Sequence, residues 1–343
     1  MSEKKIKNMD DFASVSGISR PTISKYFNDP DSVRKSTRER IEKALEQYDY
    51  RPNFYAMNQN RRLTKNVGIV IPYMADPFFA EIARNIENHV IEAGFRPVVL
   101  GSHGDPEQEI ENLNNLRLIK PAGVLLGPLG RVSDPERIAA FCKEVPTVLF
   151  DANIENVGEA FIGSDNDQSI DLIVDYLCRT GQPPSFFEMR TPTNPNAIKR
   201  RNAYIKSMNR LGHEPNLVQA EGDGWDFEEI GFREGSRIIA ERSLPTDTIL
   251  CSNDRLAIGL LSAAYQLGLR VGLGPTCALR IAGHDDHPFS RYTCPTLTTV
   301  SQDYASIAAK SAETLFSLIE SEQHGMSRTV TLYDGKLVMR GSA

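Results

Sequence analysis

The chain has 343 residues, 40% of them hydrophobic, and a net charge of −6. That length holds two or three domains with ample core. Its five cysteines (Cys142, Cys178, Cys251, Cys277, Cys294) are dispersed with no CxxC pair, which excludes a disulfide framework. The first residues, MSEKKIKNMDDF, contain no apolar leader segment, and no apolar run is long enough to span a bilayer, so the composition predicts a soluble cytoplasmic protein without a membrane partner. Charge is uneven along the chain. Residues 1–65 carry 14 Lys and Arg against 9 Asp and Glu, a net of +5, and the remainder carries 25 against 36, a net of −11. A basic head on an acidic body suits a head that meets phosphates and a body that avoids them.

Residues 10–28, DDFASVSGISRPTISKYFN, predict two short helices joined by a tight turn. Phe12, Ala13 and Val15 can line one face of the first. Gly17 permits the turn because it tolerates positive φ. Ser19 is placed to N-cap the second helix, and Pro21 falls in its first turn, where a missing N–H costs nothing. Ile23 and Phe27 keep the inner face apolar, while Arg20, Thr22, Ser24 and Lys25 stay outward. A polar, basic first turn on the second of two such helices describes a helix-turn-helix DNA reader. A third helix is predicted from Ser36, with Ser36 and Glu39 as a capping box and Ile41, Ala44, Leu45 and Tyr48 as its stripe. Arg51-Pro52-Asn53 ends it. Phe54–Arg62 follows, too short for a helix stable alone in water.

From Asn66 the texture changes. Apolar runs of strand length (67–73, 95–101, 122–127, 146–151, 160–165) alternate with helical spacings at 77–94 and 106–119. A second series follows: helix 167–180, strand 185–189, helix 196–211, strand 217–220, helix 227–242, strand 247–251, helix 253–268 and strand 279–283. Strands that are apolar throughout and alternate with helices predict α/β architecture with parallel sheets covered on both faces. The number of units exceeds one sheet, so two doubly wound lobes are expected, with a ligand between them at the carboxyl ends of the strands. No GxGxxG or GxxxxGK[ST] follows any strand, which disfavours nucleotide binding.

The head segments ASVSGISRPTISKYFN, VRKSTRERIEKAL and YDYRPN, and the body segments VGIVIPYMADPFFAEI, AGVLLG, VLFD, GSDN, ILCSNDRLAIGLL, LGLRVG, IAGHDD and LTTVSQD, resemble the lac repressor/galactose repressor family of transcription regulators along essentially the whole chain. The resemblance implies a helix-turn-helix domain at 1–50, a hinge at 51–65 and an effector-binding and dimerisation body at 66–343, built like a periplasmic sugar-binding protein. The first lobe would take about 66–163 and 292–323, the second about 164–291 and 324–343. It implies operator DNA and a small effector as partners, the effector a sugar or polyol first, then a sugar acid, with nucleobases left open. It also implies a homodimer, with no apolar heptad tail after Arg340 to build a tetramer.

By the same resemblance, Arg20, Pro21 and Lys25 face base edges, and Ser19, Thr22, Ser24, Asn28, Arg38 and Tyr50 meet the DNA backbone. In the hinge, Gln59 stands where relatives place a leucine wedge; Met57, one turn away, could substitute, and Arg61 would meet phosphate. In the body, Asp76, Phe78, Arg200, Asn253, Asp285 and Gln302 map to the effector cleft, with Trp225 as an aromatic wall. Carboxylate, amide and guanidinium converging on one cleft suit a hydroxylated ligand.

Two other classes compete. A transport-associated solute-binding protein is opposed by the missing leader and the basic head, and an α/β enzyme by the lack of a nucleophile elbow or phosphate loop. The run His284-Asp285-Asp286-His287 resembles a metal cluster, but consecutive residues rarely converge on one tetrahedral centre, so neither metal nor cofactor is expected.

Overall fold

The computed structural model describes residues 8–28, 30–48, 50, 64–193, 195–321 and 328–343. The hinge residues Met57, Gln59 and Arg61 and the side chain of Asn28 lie outside the described set. The chain divides into two compact units, Met1–Thr64 and Lys65–Ala343.

Among the described residues, the first unit holds three α-helices and a short 3-10 turn at Pro30–Ser32. In α1 (Met9–Ser16), Asn8 caps the start by accepting from the Asp11 N–H at 2.8 Å. Gly17 ends it at φ 64°, its N–H donating to Ala13 O. α2 spans Arg20–Asn28 and α3 spans Lys35–Tyr48. The third helix starts one residue before the predicted Ser36, which therefore lies inside it, and the Arg34 carbonyl accepts from the Thr37 and Arg38 N–H groups. Phe12, Ile23 and Ile41 are fully buried and form the centre of a small core with Ile18, Ala44 and Tyr50. Val15 and Tyr48, predicted on inner faces, are exposed instead, and the Tyr48 hydroxyl donates to Val15 O.

The second unit opens with β1 (Asn66–Ile71), α4 (Pro77–Glu92), β2 (Arg96–Gly101), α5 (Pro106–Leu118), β3 (Gly123–Leu126), α6 (Pro135–Cys142), β4 (Thr147–Phe150) and β5 (Ala160–Ser164). α4, α5 and α6 each begin with Asp-Pro. The carboxylates of Asp76, Asp105 and Asp134 accept from first-turn amides, and each proline occupies the position whose N–H is unpaired anyway. The chain then crosses to a second lobe of α7 (Asn166–Thr180), β6 (Ser185–Met189), α8 (Ala197–Arg210), β7 (Leu217–Ala220), α9 (Phe227–Ala240), β8 (Thr248–Cys251), α10 (Asp254–Gln266) and β9 (Arg280–Ala282). It closes with β10 (Thr299–Ser301), α11 (Tyr304–Ser321), β11 (Thr329–Tyr333) and β12 (Lys336–Val338).

The first lobe's sheet has six parallel strands in the order β11-β5-β4-β3-β1-β2, and the second has four in the order β7-β6-β8-β9. Their buried strands, such as Val67–Ile71 and Val124–Leu126, are the apolar runs of the sequence. β10 pairs antiparallel with β12 as a separate two-stranded ribbon. The lobe boundaries differ from expectation at the end. β11 joins the first lobe by pairing with β5, although the resemblance places the whole of 324–343 in the second. Only after β11 does the chain return, and Ala343 is buried against Ile170, Phe186 and Tyr204 of the second lobe.

α9 and α10 pack backbone to backbone. A Cβ on Gly259 would lie 2.2 Å from Glu228 O, and one on Gly231 would lie 2.4 Å from Leu256 O. This contact brings Glu228 and Arg255 together at the cleft.

Candidate functional site

In the head, α2 presents Arg20 and Pro21 in its first turn and Lys25 in its last as exposed side chains, with Thr22 and Ser24 half-buried. Ser19 occupies its predicted capping place. Its hydroxyl accepts the Thr22 N–H at 3.4 Å and shares a 2.7 Å hydrogen bond with the Thr22 hydroxyl. Arg20 Nε contacts Asp10 Oδ1 at 3.1 Å. Two expected backbone contacts are placed otherwise. Tyr50 is a core residue, stacked on Phe12 with ring centroids 4.5 Å apart, because its position directly after α3 returns the chain over the helix pair. Arg38 donates to Asp31 at 2.8 Å, so an intramolecular carboxylate holds it in this structure.

In the body, a cavity of about 450 Å³ lies between the lobes at the carboxyl ends of the strands, within the size range of small-molecule sites. Asp76, Phe78, Arg200, Asn253, Asp285 and Gln302, all singled out in the sequence, line it. Asp76 caps α4 through the Phe78 amide, and Asn253 caps α10 through the Leu256 amide, so each is held by a helix start at a strand end. Phe78 stands edge-on to Phe79 and Tyr304.

Asp285 is the hub. It takes φ 119°, a strained conformation for a residue with a side chain, and Asp286 follows at φ 49°. Its Oδ1 accepts from Arg200 Nη2 at 2.7 Å, Gln302 Nε2 at 2.7 Å and shares a 3.0 Å bond with His284 Nδ1; its Oδ2 accepts from Arg200 Nη1 at 3.3 Å. Gln302 Oε1 accepts from the Ser164 hydroxyl at the first crossing between lobes, and the Tyr304 hydroxyl donates to Asp285 O. Burial alone would raise the Asp285 pKa. The Arg200 charge and the His284 contact outweigh it and hold the carboxyl at about 2. Arg200 also donates to Asn166 Oδ1 and Ser252 O, so four of its five N–H groups are committed.

Three side chains that the sequence reading did not single out complete the site. Arg255, on α10, donates to both carboxylate oxygens of Glu228 at 2.7 and 2.6 Å and reaches across the cleft to Asp76 Oδ2 at 3.0 Å. Asp151, at φ 62° after β4, accepts from Asn196 Nδ2 at 2.9 Å; burial raises its pKa to about 7, with Arg200 and Lys199 offsetting only part. Tyr304 closes one wall. The VLFD and SNDR segments that carry Asp151 and Arg255 were visible, but their partners lie tens to hundreds of residues away. Asp254, beside Asn253, accepts from Ser290, Thr299 and the His287 amide, and burial still raises its pKa to about 7.

Trp225 is not a wall of this cavity. It is 5% exposed and stacks on Tyr73 at 5.1 Å with the ring planes 7° apart. It lines a separate hollow of about 150 Å³ with Leu129 and Thr193. The turn before α9 directs the indole toward the first lobe's Tyr73 and Gly104 instead of toward Asp285.

Ser169, His284 and Asp285 form a relay, with Ser169 Oγ 2.9 Å from His284 Nε2. Ser169 and His284 have no exposed surface, so the serine cannot meet a substrate. Burial, with the Arg200 charge added, lowers the His284 pKa to about 4, which keeps the ring neutral. The relay ties α7 to Asp285. Among the described residues no group of three or more His, Cys, Asp and Glu is placed to hold a metal, and no helix is long and apolar enough to cross a membrane. In the His284–His287 run, Asp286 pairs with Arg340 and His287 Nδ1 accepts from the Phe289 amide.

Residues 8–53 match the description of bacterial regulatory proteins of the lacI family, and residues 176–343 match a periplasmic binding protein-like domain. The HTH-type transcriptional repressor PurR of Pasteurella multocida is 27% identical over 97% of each chain. The NTD biosynthesis operon regulator NtdR of Bacillus subtilis is 25% identical over 97% of this chain and 99% of its own. Among solved structures, the lac repressor dimer bound to operator and the anti-inducer ONPF superposes with a TM-score of 0.81 at 23% identity, covering 99% of both chains, a likeness of fold.

Proposed function

We propose that the chain, whose residues 8–53 match the description of lacI-family bacterial regulatory proteins, is a cytoplasmic repressor of that family whose grip on operator DNA is set by an uncharged, hydroxyl-rich small molecule held between its two lobes. The carrying observation is the ring of hydrogen-bonding groups around Asp285. A carboxylate kept ionised, the Gln302 and Asn253 amides and a buried guanidinium line one cavity with the Phe78 ring. The carboxylate and the amides can bond hydroxyls, Arg200 holds the carboxylate in place, and an aromatic face suits the apolar side of a sugar ring or polyol. A sugar acid is less well served. Arg200 is already committed to Asp285, Asn166 and Ser252, which leaves Arg291 at the rim as the cation for a carboxylate.

The cavity draws on both lobes, with Asp76 and Phe78 on one side and Arg200, Asn253 and Asp285 on the other. A ligand touching both sides favours one lobe arrangement. If operator DNA favours a particular arrangement too, the two affinities are reciprocally coupled. A symmetric homodimer would present two heads to a pseudo-palindromic site.

The test is a thermal-shift screen of the full chain against hexoses, pentoses, polyols and their acid forms, repeated with Asp285→Asn. One neutral compound should raise the melting temperature of the wild type and fail on the variant. Stabilisation by acids alone, undiminished in the variant, would contradict the reading.

A further inference from the structure

Arg20 opens α2, and its guanidinium is engaged on one edge only. Nε meets Asp10 Oδ1 at 3.1 Å, and among the described residues no other partner is shown for it. Asp10 sits in the first turn of α1, the neighbouring helix, so the contact bridges the two helices that frame the reading surface. Both side chains remain open to solvent, 63% and 69% exposed. We propose that Asp10 is a positioning residue for sequence reading: it fixes Arg20 by the Nε edge so that the two terminal nitrogens face outward as a fork over the major groove and read guanine. This rests on the DNA-binding reading of the head.

The chemistry favours that role over a stabilising one. An exposed ion pair contributes little to folding. Arginine, however, has a long, mobile stem, and a fork held in one orientation loses less freedom on meeting the paired acceptors O6 and N7 of guanine. The carboxylate also acts against an alternative. Phosphates repel Asp10, so an arginine leashed to it is kept from the backbone, which carries no sequence information, and directed toward a base edge. The sequence places an acid beside the basic first turn of a DNA-reading helix, where affinity alone would favour a lysine. Specificity explains its presence.

The experiment begins by selecting binding sites for the full-length wild type from randomised DNA. Affinities of wild type, Asp10→Ala, Asp10→Asn and Arg20→Ala are then measured for the selected site, for its single-base variants and for random DNA. In the wild type, replacing the guanine read by Arg20 should weaken binding roughly 5- to 150-fold, the range of one bidentate contact. Arg20→Ala should erase that penalty. Asp10→Ala should shrink it to a few-fold at that position alone while binding to random DNA tightens, and Asp10→Asn, which keeps the shape and loses the charge, should fall between. Circular dichroism of each variant confirms the fold, which exposed Asp10 should not alter. If Asp10→Ala strengthens binding to every sequence alike and leaves the base penalties unchanged, Asp10 is a general charge brake and the proposal fails. It fails too if Arg20→Ala leaves every base penalty intact. If no sequence is enriched at all, the DNA-binding reading fails with it.

Discussion

The head and the body use charge in opposite ways. In the head, Arg20–Asp10 is an exposed pair and Arg38–Asp31 a half-exposed one, both within reach of water and salt, and the helices are held by Phe12 and five further buried side chains. In the body, Arg200–Asp285 and Arg255–Asp76 are almost fully buried and linked to amides, hydroxyls and the neutral His284. Exposed charge is cheap to rearrange, which suits a surface that must trade its partners for phosphates and bases. Buried charge is costly to leave unpaired, which makes the cleft sensitive to any ligand that alters its pairing.

The largest effect that would sharpen this contrast is in the head. Phe12→Ala removes the ring at the centre of a very small core, a change worth about 3–5 kcal/mol, and a unit this small has little stability to spare. DNA binding should vanish while the body's unfolding transition stays where it was; a shift in both would break the modular picture. Next is Arg200→Ala, which strands Asp285 as a buried carboxylate without its cation. The body should lose about 3–5 kcal/mol, read by thermal unfolding, together with effector binding, and the head should keep its salt-dependent affinity for random DNA.

Proton linkage gives a third comparison. Asp151 and Asp254 have folded pKa values near 7, above those of the unfolded chain, so the folded state holds extra protons between about pH 4 and 7. Their contribution to stability is present at low pH and lost as pH rises through that window. His284, lowered to about 4, acts oppositely between about pH 4 and 6.5, and Asp285 contributes stability that is lost only below about pH 4. Asp151→Asn keeps the shape, and asparagine accepts positive φ. Its advantage over the wild type should therefore widen between pH 5 and pH 8 by about 2–3 kcal/mol. Equal stability of the two at pH 8 would place an ionised Asp151 in a paired environment. The smallest effect is Asp31→Ala, which frees Arg38 and should change head stability by at most about 1 kcal/mol while tightening DNA binding at low salt.

Much of this was legible in the sequence, for physical reasons. Strands buried on both faces read as apolar runs, as β1 and β4 do, and the bounds expected for β6 and β7 match the structure to the residue, whereas α6 and α11 carried no expectation. Asp76, Asn253 and Asp285 were assigned to the cleft by the family resemblance, and the structure sets each of them just past a strand end, lining the cavity. What was not legible was pairing. β11 alternates exposed and half-buried residues like any edge strand, and nothing local says that it joins β5. Arg255 reads as a surface residue of α10 until Asp76, 179 residues away, is brought beside it. Trp225 and Tyr50 were misplaced for the same reason: an aromatic ring's partner is set by the tertiary fold, and here those partners are Tyr73 and Phe12.

Under the proposed function, one chain couples DNA on its basic head to a small hydroxylated molecule in its acidic body. The most direct test is the affinity of the full-length protein for fragments of its own upstream DNA, measured by fluorescence anisotropy with and without each member of a panel of sugars, polyols and sugar acids. The account predicts a specific, salt-sensitive complex whose affinity one neutral compound changes several-fold in the wild type and leaves unchanged in Asp285→Asn. A specific complex that no member of the panel alters, or one altered equally in Asp285→Asn, would contradict it.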